Sequence, residues 1–283
     1  MRVRLCGVRG SSPASGPEFN KVGGHTSCLA IAHDQGPWCL LVDAGTGLAS
    51  VTALLQGQPF RGTILLGHMH LDHTQGLPFF GGADHVEARA DVVVPAQDGL
   101  TAEALLDRCY SPPHFPIRLA ELQGAWSFHA IDAGLHQFEG FTVQAADIPH
   151  GGGRTLGYRI SDGTSSIAYM SDHGPGAGDA LSLAPALALS AGVDALFHDS
   201  HFTPDEQLRY AHYGHSTPQI GIDLAMRAKA HRLVLIHHAP RRTDASVERM
   251  GAQAVQVADE LADAGGHRVE VIVGREGGQL QLP

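Results

Sequence analysis

Short apolar runs that close on a polar or glycine corner recur along this chain, and their length and β-branched content predict strands rather than helices. They cover residues 1–8, 27–32, 38–42 and 63–66, and then 142–148, 156–160, 166–170, 195–197, 233–236 and 269–273. Helical periodicity is rarer. Val247, Met250, Ala254, Val257, Ala258 and Leu261 form one stripe, opened by Asp244 or Ser246 as cap and stopped by Gly265-Gly266. Thr217 predicts a second helix start, with Pro218 at its first position and Ile220, Leu224 and Ala228 on one face. Residues 47–55 are a shorter candidate.

Between about 84 and 134 the periodicity weakens and Pro95, Pro112, Pro113 and Pro116 punctuate the chain, which reads as an insertion or lid on the main body. The Pro-rich piece at 111–117 could hang over a site. No Ser/Gly or charged linker divides the remainder, so residues 1–283 read as one layered α+β domain.

Composition sharpens this picture. With 43% hydrophobic and 17% charged residues the chain can bury a large core, and its 35 Gly and 16 Pro describe many turns. A net charge of −10, with Lys21 and Lys229 the only lysines, argues against a broad nucleic-acid face. Cys6, Cys28, Cys39 and Cys109 form no C-x-x-C pair and read as buried thiols of a reducing compartment. The first residues lack the apolar stretch of a signal peptide, and no window is long and apolar enough for a membrane span; the expected location is the cytoplasm. Histidine is the anomaly: 19 of them, as many as Lys and Arg together.

The densest group, Gly67-His-Met-His-Leu-Asp-His-Thr-Gln-Gly76, directly follows the strand predicted at 63–66. Residues two apart in extended backbone point the same way, so His68 and His70 can converge on one ion, while Asp72 and His73 face a neighbouring point as the chain turns. Burying that many imidazoles beside a carboxylate is costly unless a cation compensates them. Further donors stand at other strand ends: His150 before Gly151-Gly152-Gly153, Asp172 after Tyr169-Met170-Ser171, and the pair His237-His238. Position alone does not separate the last two. Gly45-Thr46-Gly47 lacks both the dinucleotide glycine pattern and a Walker lysine, which excludes a nucleotide loop of either kind.

Together these segments resemble the metallo-β-lactamase superfamily, whose hallmark is H-x-H-x-D-H after a strand with later His, Asp and His ligands. The accessory segments Gly23-Gly24-His25-Thr26-Ser27-Cys28, residues 41–47, Gly157-Tyr158-Arg159, Asp199 and Gly214-His215-Ser216-Thr217 look like the branch of the tRNA-processing endonuclease RNase Z and related phosphodiesterases. The resemblance implies a four-layer αβ/βα sandwich of two mixed β-sheets flanked by helices. It implies that His68, His70 and His150 hold one metal, that Asp72, His73 and His237 hold the other, and that Asp172 lies between. Zn²⁺ suits the imidazole-rich set, and Mn²⁺ or Fe would tolerate it. Two such cations can lower the pKa of a bridging water and screen a phosphodiester, with Asp72 helping to orient that water. His215, oriented by Asp199, is the implied proton donor to the leaving oxygen. Asp43 is implied to pin the metal-bearing turn. Arg154, Arg159, Arg241 and Arg242 could grip phosphate oxygens, with Arg154 and Arg159 the leading candidates.

The expected activity is dinuclear metal-dependent hydrolysis of a nucleotide-like or other small phosphodiester. The alternatives are a thioester or lactone hydrolase, a mononuclear iron sulfur-dioxygenase, and a non-catalytic ligand sensor on the same fold. A small anion fits the acidic chain better than tRNA, since no long basic Gly/Pro-rich arm is present in the sequence. A homodimer is implied by the resemblance alone.

Overall fold

The computed structural model describes residues 1–174 and 183–283. The chain forms two seven-stranded sheets. The first takes the order β14-β1-β2-β3-β4-β5-β6, built from β1 (Arg2–Gly7), β2 (Cys28–Ala32), β3 (Leu40–Val42), β4 (Arg61–Leu65), β5 (Arg89–Pro95), β6 (Ala125–Ile131) and β14 (Gln279–Gln281). The second takes the order β13-β12-β11-β10-β9-β8-β7, from β7 (Gly134–Phe138), β8 (Phe141–Asp147), β9 (Leu156–Ser161), β10 (Ser166–Met170), β11 (Ala195–Asp199), β12 (Arg232–Ile236) and β13 (Glu270–Val273).

Side-chain alternation sorts each strand between two cores. Leu40 and Val42 of β3 face the second sheet, where they meet the layer that holds Tyr158, Ile160, Tyr169, Phe197 and Val234. Leu41, between them, faces outward with Ile64 and Val92 onto α1 (Leu48–Leu54) and α3 (Ala102–Asp107). On the far side, Ala168, Leu196, Leu233 and Leu235 pack against α4 (Ala184–Ser190), α6 (Pro218–Ala228) and α7 (Asp244–Asp263). Helices therefore cover both outer faces of a sheet-on-sheet core, the αβ/βα sandwich that the resemblance implied. The apolar runs were continuous, not alternating, because both faces of these strands are buried.

Two features of the sheets position the site. β3 to β6 run parallel, as do β10 to β13. Each parallel set delivers its carboxyl ends, and the loops that follow them, to one edge. β4, β10, β11 and β12 accordingly release candidate donors where the two sheets meet, and β8, antiparallel to β9 as β10 is, runs the same way and adds His150.

Three sequence expectations need correction. The stretch 84–134 is not simply an insertion: it supplies β5 and β6 to the first sheet, leaving only the connection that carries α3 as an excursion. Its periodicity looked weak because β6 is half-exposed along its length and β5 ends on a proline. Cys109 is exposed, unlike Cys6, Cys28 and Cys39. The N-cap of α7 is Thr243, not Asp244 or Ser246; the Asp244 carboxylate instead accepts from the backbone N–H groups of Lys21 and Val22 at 2.8 and 3.0 Å. Thr217 does cap α6, accepting from the Ile220 N–H, with Pro218 next. Among the described residues no helix is long and apolar enough to cross a membrane.

Candidate metal centre

β4 ends into Gly67, whose N–H donates to Asp43 Oδ1 at 2.8 Å and whose carbonyl accepts from the Leu156 N–H at 2.8 Å. The next residues stay extended up to His70, which opens the single turn of α2 (Leu71–Thr74). Extended spacing puts His68 and His70 side by side, rings 4.4 Å apart, and the turn swings Asp72 and His73 to a second position. His150 arrives from the end of β8 with Nε2 3.4 Å from His70 Nδ1. Nitrogens of His68, His70 and His150 all lie within 4.8 Å of one another, as do donor atoms of Asp72, His73 and His237. Asp172, beyond β10, reaches both groups: its carboxylate is 3.0 Å from His73 Nε2, 3.3 Å from His237 Nε2 and 3.5 Å from His150 Nε2.

Partners behind the rings set which nitrogen faces the centre. His73 Nδ1 donates to Asp43 Oδ2 at 2.7 Å, His150 Nδ1 donates to the Gly214 carbonyl at 2.7 Å, and His237 Nδ1 meets Ser27 Oγ at 3.2 Å. Each leaves Nε2 aimed inward, the arrangement that imidazole needs to hold a cation. Asp43 also accepts from Tyr169 Oη at 2.7 Å and so ties the two sheets together beneath the cluster. Asp43 and His237 adopt positive φ, 62° and 57°, a costly conformation for residues with a Cβ that persists where the surroundings enforce it.

The donor set fits a bound cation. Both nitrogens of His68, Nε2 of His73 and His237, and Asp172 Oδ2 are buried without a hydrogen-bond partner among the described residues. His73 Nε2 and Asp172 Oδ2 lie 3.0 Å apart and answer each other when the ring is protonated; the other three orphans cost about 1–3 kcal/mol each, and together they describe a site built for charge from outside the chain. Burial works against a charged His73, yet Asp72, Asp43 and Asp172 outweigh it and hold its pKa well above the ordinary histidine range. Burial similarly opposes ionisation of Asp172, but His237 and His73 hold its carboxyl well below the usual range.

His238 does not share this environment. Its Nδ1 meets Ser200 Oγ at 3.2 Å and its Nε2 donates to the Gly274 carbonyl at 3.1 Å, away from the cluster. Burial lowers its pKa to about 3, and that of His198 to about 4. An unfolded histidine titrates near 6.5, so between pH 6.5 and these values the unfolded chain binds protons that the folded one refuses. Stability is therefore expected to be insensitive to these groups above pH 6.5 and to fall below it, by about 2 kcal/mol per residue at pH 5. Urea denaturation of the metal-free protein at pH 7.5 and pH 5 measures this; His238→Gln should show a smaller drop than wild type, and an equal drop would refute the assignment.

His215 stands beside the centre, Nδ1 2.9 Å from Asp199 Oδ2 and 3.7 Å from Asp172 Oδ1. Burial disfavours its charge, but Asp199 first and Asp172 next raise its pKa to about 9. His201, which the sequence left without a role, stacks on His215 at 4.2 Å, and its N–H donates to Asp199 Oδ1 at 2.8 Å.

The loop after β1 was missed altogether. The Ser11 N–H donates to Asp72 Oδ2 at 2.7 Å, and a Cβ at Gly10 would fall 2.2 Å from His237 Cδ2. The signal available was a strand ending in a glycine corner, the same pattern that marked the other donors. Gly10→Ala must displace the His237 ring and is expected to reduce bound metal and lower kcat/KM by about 10- to 100-fold, the cost of disturbing a ligand's support. Metal analysis with steady-state kinetics checks this, and full metal content at unchanged activity would contradict it.

The two leading arginine candidates are engaged elsewhere. Arg154 forms a bidentate pair with Asp147, Nε–Oδ1 2.6 Å and Nη2–Oδ2 3.1 Å, and donates to Asp132 and to the Ala96 carbonyl. Arg159 donates to the carbonyls of Leu189 and Ala191, finishing the end of α4. Neither lines a cleft at the centre, because neighbouring carboxylates and carbonyls claim both guanidinium groups first.

Two clefts flank the cluster and share His70. The narrower, of about 290 Å³, is lined by His68, Met69, Leu105, Leu106, Cys109 and Tyr110 among others. The wider, of about 680 Å³, takes in Asp72, His150 and His215 and opens toward Arg241 and Arg242.

A family model described as Beta-lactamase superfamily domain matches residues 39–238. Ribonuclease Z of Exiguobacterium sibiricum is 25% identical over 287 residues, covering 88% of this chain and 94% of that protein. Among solved structures, the short form of human tRNase Z matches with a TM-score of 0.68 at 18% identity, covering 100% of both chains. A diphosphatase of the PhnP family matches with a TM-score of 0.66 at 17% identity, covering 100% of this chain and 98% of that one.

Proposed function

Because this chain belongs to the beta-lactamase superfamily of metal-dependent hydrolases, we propose that it is a dinuclear phosphodiesterase acting on a small anionic phosphodiester. The observation that carries this reading is the pair of donor triads joined by one carboxylate, with inward-facing nitrogens of His68 and His237 that have no hydrogen-bond partner among the described residues. His68, His70 and His150 would hold one cation, Asp72, His73 and His237 the other, and Asp172 would bridge them. Bound cations would supply Lewis acidity toward phosphate oxygens and a water of lowered pKa. Imidazole-rich donors favour Zn²⁺ and remain compatible with Mn²⁺ or Fe.

The chain's own residues account for the rest of the reaction. The Ser11 N–H donates to Asp72 Oδ2 and so fixes the carboxylate that would hold a cation and help to orient the attacking water. His215 uses Nδ1 toward Asp199, which leaves Nε2 to deliver a proton to the leaving oxygen. Asp199 pairs with the opposite ring nitrogen, Nδ1, and so favours the imidazolium form that carries a proton on Nε2.

A curated relative named Ribonuclease Z makes a tRNA substrate the competing reading. The net charge of −10 favours a small anion, since a polyanion would meet long-range repulsion. Purified protein should contain transition metal and hydrolyse bis(p-nitrophenyl) phosphate, losing activity to chelator and regaining it with added metal. Absence of both metal and metal-restored hydrolysis refutes the proposal. Cleavage of precursor tRNA, with binding that weakens steeply as salt rises, would replace it by the competing reading.

A further inference from the structure

The wider cleft has a wall that the reaction just described does not use. Tyr210 and Tyr213 are 43% and 59% exposed, with ring centroids 6.2 Å apart, and Tyr210 lies 6.1 Å from Phe202. Phe202 in turn meets the His215 ring edge-on at 5.6 Å. The three rings thus run outward from the candidate proton donor along one side of the cleft. Both tyrosine rings are left open to solvent.

The wall is held by the same elements that hold the centre. Thr203 and Glu206 form a capping box at the start of α5 (Pro204–Tyr210), and the following 3₁₀ turn, Ala211–Tyr213, ends on Gly214 at φ 74°. Any Cβ at Gly214 would fall 2.8 Å from the Gly151 nitrogen and 2.9 Å from His150 Nδ1, and its carbonyl accepts from that same nitrogen. The aromatic turn and a candidate ligand are therefore fixed to each other. Two arginines also line this cleft. Arg242 is neutralised by Glu206 at 2.5 Å, whereas Arg241 is exposed and, among the described residues, takes part in no ion pair.

We propose that Tyr210 and Tyr213 form a stacking platform for the nucleobase of a nucleotide phosphodiester, with Arg241 contacting its phosphate side. This rests on the phosphodiesterase reading and narrows its substrate class. Every base presents a π-face, so an open tyrosine pair accepts bases with little sequence preference. A guanidinium without a competing carboxylate supplies charge-assisted hydrogen bonds to phosphate oxygens. A purely aliphatic thioester or lactone would use neither.

The test compares AMP with ribose 5-phosphate, which differ only by the base, in calorimetric titrations of the metal-loaded protein. Wild type should bind AMP about tenfold or more tightly than ribose 5-phosphate. The double variant Tyr210→Ala/Tyr213→Ala should bring that ratio close to one while leaving ribose 5-phosphate affinity unchanged. Tyr210→Phe/Tyr213→Phe should retain the ratio, and Arg241→Gln should weaken both ligands alike. A wild-type ratio near one, or a ratio that survives the alanine variants, overturns the platform. Hydrolysis of bis(p-nitrophenyl) phosphate by the same preparations separates the two claims: activity with a ratio of one sinks the platform alone. A tyrosine-dependent ratio without any hydrolysis supports the platform and sinks the phosphodiesterase reading.

Discussion

His215→Ala is expected to keep its full metal content while kcat falls about 10²- to 10⁴-fold, the contribution of a positioned general acid. The separation follows from geometry. His215 reaches the centre from outside the two donor triads, with Nδ1 committed to Asp199 and its ring stacked on His201. Under the proposed role, removing it would deprive the leaving oxygen of a proton while leaving His68, His70, His73, His150 and His237 in place. A diagnostic refinement comes from the leaving group. With p-nitrophenolate, which departs without protonation, the loss should be far smaller than with an alkoxide leaving group. Equal losses for the two would mean that His215 serves structure or metal binding, and reduced metal in the variant would say the same directly.

The opposite pattern is expected at Asp172. Asp172→Asn conserves volume yet removes the charge shared by both triads, so metal content and activity should fall together, with kcat/KM lower by on the order of 10³-fold or more. The carboxylate is buried against His73, His150 and His237 at 3.0 to 3.5 Å, and no other residue among those described contacts both groups in this way. Thermal denaturation gives an independent reading. Wild type should lose stability on chelation, because bound metal stabilises the folded state in proportion to its affinity. Asp172→Asn should melt at the same temperature with and without chelator. A variant that retained both metals and near-normal turnover would remove the bridging assignment.

That the candidate donor side chains gather in one cluster was largely legible because they follow local rules. His68 and His70 obey the two-residue period of extended chain, Asp72 and His73 lie in the turn that follows, and His150, Asp172 and His237 each end an apolar run. The choice between His237 and His238 was beyond such rules. Alternation sends adjacent side chains to opposite faces, but it does not say which face holds the centre. That was decided by the positive φ of His237, the Gly10 loop beneath its ring, and the Ser200 and Gly274 partners that turn His238 away.

The arginines show the same boundary from the other side. Nothing in the sequence distinguishes an arginine that grips substrate from one that ends a helix. Arg154 and Arg159 are candidates by residue type alone, and they are engaged by Asp147, Asp132 and the carbonyls at the end of α4. Residues 84–134 failed differently. β6 lies at the sheet edge with much of its surface exposed, so it carries little of the hydrophobic signal by which strands are recognised.

By itself, then, the sequence determined the layered class, the strand ends that carry donors, and the kind of chemistry those donors can support, because periodicity and ligand type are properties of neighbouring residues. Tertiary structure decided which histidine turns inward, which guanidinium groups remain available, and that three aromatic rings line the approach to His215. Those outcomes depend on partners far apart along the chain, such as Ser27 with His237 or Gly214 with His150, and only folding brings them within hydrogen-bonding distance.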